Sequence, residues 1–250
     1  MKTIASALLA FTAFAAVPVS GQPNIDSVKP SEEIRVPAGA SILAAFPDTV
    51  RLRYKDYGWG RVVFANGQQS ELHRFNYDLL LEDILVIRPQ GDTVIFDDSN
   101  LIRLVLINDA TYLLASDFKP ANRRQPYFEI VAEGDGLLLG IRNAYFFTNK
   151  KQRVDPGYNS YADYCVSAYT FRNAGGRWVL PNEDYVWKGF SIYYAIDKTG
   201  HSFRFNKAFL RRFYPQYREL IDNYLKTTPT DFQSGADLEK LFAYCTKLRG

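Results

Sequence analysis

Gly60-Arg-Val-Val-Phe-Ala65 runs into Asn66-Gly67 and returns from Gln68. Ile84-Leu-Val-Ile-Arg88 meets Pro89-Gln90-Gly91 and returns as Asp92-Thr-Val-Ile-Phe96, and Leu101 to Ile107 turns at Asn108-Asp109 into Ala110 to Ala115. Short β-branched and aromatic runs, broken by turn chemistry every ~8 to 12 residues, are the pattern of antiparallel hairpins. Asn-Gly favours a tight turn because both residues tolerate positive φ.

The pattern extends on both sides. Tyr127 to Val131 turns through Gly134-Asp135-Gly136 into Leu137 to Asn143, and two later pairs flank Asn173 to Gly176 and Lys198-Thr-Gly200. No strand–helix alternation appears that would build a parallel sheet. After Phe205 the period changes. Asn206 stands as an N-cap before Lys207 to Phe213, with Phe209, Leu210 and Phe213 on one face. Pro215 suits the first turn of a second helix carrying Tyr217, Leu220, Ile221, Tyr224 and Leu225. Ser234 to Asp237 opens a third, whose apolar face is Leu238, Leu241, Phe242, Cys245 and Leu248. The expected class is α+β, mainly antiparallel β. The expected architecture is a curved meander sheet, sandwich-like or a partly open barrel, with C-terminal helices packed on it.

Composition agrees with that class. Of 250 residues, 47% are hydrophobic, 23% charged and 15% aromatic, as in a globular protein with a sizeable core. Net charge is only +3, so the bulk field that draws nucleic acid is absent. The basic groups at Arg123-Arg124, Lys150-Lys151 and Arg211-Arg212 read as solvated surface, and no nucleic-acid partner is expected.

The N-terminus speaks to compartment. Lys2 precedes an unbroken apolar and small stretch from Ile4 to Val17, and Val19 and Gly21 stand at −3 and −1 of a cleavage before Gln22. This is the pattern of a signal peptide, too short to span a bilayer of ~30 Å. Its removal takes away Lys2 alone among the charges and leaves a net +2. No later run is long and apolar enough for a transmembrane segment. The expectation is an exported protein, periplasmic or secreted. The segments are residues 1–21 as signal peptide, 22–41 as mobile lead-in, 42–205 as β-rich region and 206–250 as helical region. In an oxidising compartment Cys165 and Cys245 either form one disulfide or serve as buried small hydrophobes.

Residues 46 to 107 carry a more specific pattern: Phe46-Pro-Asp-Thr-Val, Gly60-Arg-Val-Val-Phe-Ala-Asn-Gly, Phe75-Asn-Tyr-Asp-Leu and Gly91-Asp-Thr, in that order. It resembles a group of exported β-rich proteins of Bacteroidetes-type bacteria that have no assigned activity. The resemblance implies compartment and fold, and no catalytic residues.

Motifs of chemistry are sparse. His73 and His201 lack the spacing of a zinc site, so no metal or other cofactor is expected. Gly189-Phe-Ser191 lacks the second glycine of a nucleophile elbow. A Cys165–His201 dyad requires a reduced thiol in an exported protein. Glu82-Asp83 and Glu183-Asp184 read as turn and surface acids, because neighbours on a strand point to opposite faces. Gly134 to Gly140 lacks the helix that a dinucleotide fingerprint needs. Aromatic residues are the surplus. Tyr158, Tyr161, Trp178 and Trp187 are the candidates for stacking on a ligand, with core filling as the competing role. The function expected is a non-catalytic binding or interaction protein of the envelope or exterior. The alternatives are a lipid or glycan binder with an aromatic pocket, and an enzyme whose site has no local motif.

Overall fold

In the computed structural model, residues 33–96, 101–114, 126–149, 168–171 and 177–249 are described. They build one eleven-stranded antiparallel sheet, open rather than closed. Its strands are β1 (Glu33–Val36), β2 (Gly58–Phe64), β3 (His73–Asp78), β4 (Asp83–Ile87), β5 (Thr93–Ile95), β6 (Ile102–Ile107), β7 (Ala110–Leu114), β8 (Tyr127–Gly134), β9 (Leu137–Asn149), β10 (Tyr185–Asp197) and β11 (Ser202–Arg204). The order is β1-β10-β9-β8-β7-β6-β2-β3-β4-β5, with β11 also on β10.

The hairpins at Asn66-Gly67, Pro89 to Gly91, Asn108-Asp109, Asp135-Gly136 and Lys198 to Gly200 form where the turn chemistry expects them. The pair expected around Asn173 to Gly176 is instead preceded by a 3-10 turn at Ala168–Phe171, and its own turn lies outside the described residues. Gly67 takes φ +83 and donates its N–H to the Phe64 carbonyl, and Asp135-Gly136 are both left-handed, which a two-residue turn requires. Two features depart from the sequence reading. The sheet is not a single meander: β2–β5 and β6–β10 are two meanders laid side by side, and β6 pairs with β2 rather than β5. The lead-in also contains a strand. Glu33 to Val36 alternates apolar Ile34 and Val36 with charged residues, and pairs with Tyr185 to Lys188 of β10. Pro30 and Pro37 bracket this run without interrupting it.

Between β1 and β2 the chain forms two single-turn helices, α1 (Ile42–Ala45) and α2 (Asp48–Arg51). Phe46, between them, is fully buried and meets Tyr145 and Trp187 edge-on, with ring centroids 5.0 and 5.3 Å away. This crossing segment fills the main core, together with Val62, Phe75, Tyr77, Val105, Ile107 and Tyr112.

Three helices follow the sheet: α3 (Lys207–Phe213), α4 (Arg218–Thr227) and α5 (Gly235–Lys247), with a 3-10 turn at Pro215–Tyr217 before α4. Asn206 Oδ1 accepts the Phe209 N–H at 2.9 Å, and Ser234 Oγ accepts the Asp237 N–H at 3.4 Å, so both caps act as the sequence expects. Leu238, Leu241, Phe242 and Cys245 of α5 and Phe209 and Leu210 of α3 cover Leu137, Leu139, Ile141, Tyr193 and Ala195 of the sheet. Each such side chain contributes about 1.5–3 kcal/mol on burial. No described helix is long and apolar enough to cross a membrane.

Candidate functional site

The turn from β3 to β4 lies inside the molecule. Leu79 and Leu80 are fully buried, with Leu81 and Glu82 nearly so. A buried turn must satisfy its own polar backbone, because water is absent. Here the Asp78 carboxylate accepts the Leu80 and Leu81 N–H groups at 2.9 and 3.0 Å. The Leu79 N–H reaches the Arg51 carbonyl at 2.7 Å, and the Tyr145 N–H donates to the Leu79 carbonyl at 3.0 Å. That last bond has a topological reason. The β8 pairing with β9 ends at Ile141, while β9 runs on to Asn149. The turn occupies the edge that β8 leaves open.

Charge is concentrated at this seam. Arg142 of β9 is 1% exposed and grips the Glu82 carboxylate with two N–H groups, Nη2 to Oε1 at 2.9 Å and Nε to Oε2. Glu82 holds φ +59, a left-handed backbone that costs a residue with a Cβ on the order of 1 kcal/mol. Burial by itself would lower the Arg142 pKa, but Glu82 raises it beyond its ordinary value, so the guanidinium stays charged. The Tyr194 hydroxyl hydrogen-bonds to Arg142. Beside them Asp78 is salt-bridged to Arg51 at 2.9 Å. Desolvation raises the Asp78 pKa against the opposing pull of Arg51 and the two turn N–H groups.

A second pair, less buried than the first, joins Arg53 to Glu129 of β8. Arg53 Nε and Nη2 contact the two Glu129 oxygens at 3.0 and 3.1 Å. Next to it the Tyr54 and Tyr112 hydroxyls share a hydrogen bond of 2.8 Å, and the Tyr112 ring stacks on Tyr77 at 5.3 Å. Burial pushes the pKa of Tyr54, Tyr77 and Tyr112 upward, and that of Tyr193 to about 12. These phenols are neutral at physiological pH. Both guanidiniums are committed two-pronged to carboxylates, so the chemistry on offer is cohesion rather than proton transfer.

Glu82 and Asp83 therefore correct the sequence reading, in which they were surface acids; both are buried. The partner of Glu82 lies 60 residues away, so no local spacing announces it. Glu183 is half-buried and Asp184 exposed, with Asp184 accepting the Ala38 N–H at 3.0 Å. Trp187 is 0% exposed, packed against Phe46, Phe147 and Phe171. Trp178 is half-buried against the same cluster. The structure thus brings these two candidates to one aromatic core, while Tyr158 and Tyr161 lie outside the described residues. Cys245 is buried and forms no disulfide among the described residues, and Cys165 lies outside them. His201 Nδ1 contacts Thr199 Oγ1 at 2.6 Å and stands 3.7 Å from Asp197. Among the described residues no group of three or more His, Cys, Asp or Glu is arranged to hold a metal ion.

One residue that sequence reasoning passed over is Trp59, at 61% exposed on β2. The signal was present. Gly58, Gly60 and Val62 alternate as the buried positions of this strand, which leaves Trp59 in register with Arg61 on the exposed side. No protein-family model matches this chain, and no curated protein or solved structure is significantly similar to it.

Proposed function

We propose that this is an exported, non-catalytic binding protein of the cell envelope or exterior, built on a partly open barrel that serves as a rigid scaffold. The observation that carries this reading is the commitment of the interior charges. Arg142 is locked to Glu82 and Arg53 to Glu129, pairs that hold the curl of the sheet together. The Tyr145–Leu79 bond, which seats the β3–β4 turn on β9, supports the barrel form over a two-layered sandwich. The n-region, apolar run and small residues before Gln22 support export, as does the likeness of residues 46–107 to an exported group. Recognition then belongs to the surface.

A specific observation favours a second reading, a small-molecule binder. The Tyr77 hydroxyl and the Trp187 indole N–H are both buried without a hydrogen-bond partner among the described residues, and such groups hold a water or a ligand atom in most folds. Native mass spectrometry of protein recovered from its exported fraction separates the two. The expected spectrum is the bare chain beginning at Gln22. A co-purifying mass lost on denaturation would replace the scaffold reading with the carrier, and recovery of the uncleaved chain from the cytoplasm would overturn export.

A further inference from the structure

The outer face of β2 and β3 is built to present one ring. Trp59 sits between Gly58 and Gly60, and Gly60 has no room for a side chain. A Cβ on Gly60 would overlap the Leu106 carbonyl oxygen, and one on Gly58 the Asn108 amide. The backbone is thus pressed against β6 at Gly60. The Asn108 N–H ties down the Trp59 carbonyl at 2.8 Å. Directly across the ladder stands Arg74, with cross-strand Cβ atoms about 4.5–5.5 Å apart. The Arg74 guanidinium is fixed by Nε and Nη2 to the Tyr57 carbonyl, at 3.2 and 3.1 Å. Arg61 is exposed on the same face, about 6.6 Å further along the strand. Leu72, 53% exposed, borders the patch.

An indole exposed to solvent on a tied-down backbone forgoes the burial that tryptophan ordinarily gains. The same residue type is fully buried at Trp187, so the contrast lies within one molecule. A flat ring beside two guanidiniums, on an open sheet face, suits a flat ligand with an apolar face and anionic edges. We propose that the Trp59–Arg61–Arg74 face binds carboxylated saccharides: the sugar's C–H face stacks on the indole, and its carboxylate meets the arginines. The two positive charges favour a uronic acid over a neutral sugar or an apolar peptide.

This inference rests on the binding-protein reading and names its ligand class. The test is titration of the mature protein with tetragalacturonate at low ionic strength, read by tryptophan fluorescence and calorimetry. Maltotetraose and inorganic phosphate serve as controls. The expected result is saturable binding that weakens with added salt, drops by at least about tenfold in Arg61→Ala, and disappears in Trp59→Ala. Both side chains are exposed, so both variants fold, and an unchanged circular dichroism spectrum checks that. Absence of saturable binding overturns the proposal. Equal binding of maltotetraose overturns the acidic class, equal binding of phosphate reduces the site to a simple anion contact, and binding retained by Trp59→Ala moves it elsewhere. None of these failures touches export or the bare native mass, which test the underlying reading separately.

Discussion

Arg142 is the residue on which the interior turns. With its side chain truncated in Arg142→Ala, the Glu82 carboxylate is left buried without the guanidinium that compensates it. The expected loss is about 3–5 kcal/mol in chemical denaturation. Glu82→Gln keeps a carbonyl oxygen for the guanidinium and is expected to lose less. Equal losses would mean that the charge of Glu82, and not the hydrogen bond that glutamine keeps, holds the turn in place. Asp78 makes a different prediction, one of sign. Its native pKa is raised above the ordinary value of 3.8 by desolvation, in spite of Arg51. A raised native value means that the group favours folding fully below 3.8, and that this contribution is lost as pH rises through the native value. Wild type should therefore gain stability relative to Asp78→Asn as pH falls through that window. A relative loss on acidification would mean the carboxylate is stabilised by its partners instead. Cys245 gives a third test. Burial pushes its thiol up to about 12, so in reductant at mildly alkaline pH iodoacetamide should label it only after denaturant is added, as read by peptide mapping.

At the scale of elements, the helices and hairpins were legible and the pairings between them were not. Asn206 and Ser234 mark helix starts because the orphan N–H groups of a first turn demand a cap, and Pro215 marks the 3-10 turn before α4 because a first turn does not need its missing N–H. Asn206→Ala should cost about 1 kcal/mol, and a change in thermal midpoint of less than a degree would show that α3 is held by Phe209 and Leu210 alone. Asn66-Gly67, Asn108-Asp109 and Asp135-Gly136 mark turns because few other residues adopt their dihedrals. By contrast, nothing near Ile107 says that it will lie beside Gly60, since the edge chosen by a returning strand depends on the whole sheet. The buried turn was illegible for a related reason. Leu79-Leu80-Leu81-Glu82-Asp83 ends in two acids, and their burial follows from Arg142 and from the point where β8 stops pairing with β9. Trp187 illustrates the same limit. Alternation put it on one face of β10, but Phe46, from the segment that leads from β1 to β2, decides that the face is interior. Glu33 to Val36 was legible in principle, its two-residue alternation masked by the flanking prolines.

For the whole molecule, these features divide the labour between inside and outside. The inner charges pair with one another, Arg142 with Glu82 and Arg53 with Glu129, while Trp59, Arg61 and Arg74 stand on the exposed side of β2 and β3. A scaffold of this kind should separate cleanly under mutation: residues that set stability should not set binding, and the reverse. The most direct measurement is a thermal midpoint and a tetragalacturonate titration on the same preparations of wild type, Trp59→Ala and Glu82→Gln, the titration run well below every midpoint. The expected result is that Trp59→Ala keeps its midpoint and loses binding, while Glu82→Gln melts earlier and binds as wild type does. If Glu82→Gln loses binding while still folded, the ligand sits at the buried seam and the division between scaffold and surface is wrong.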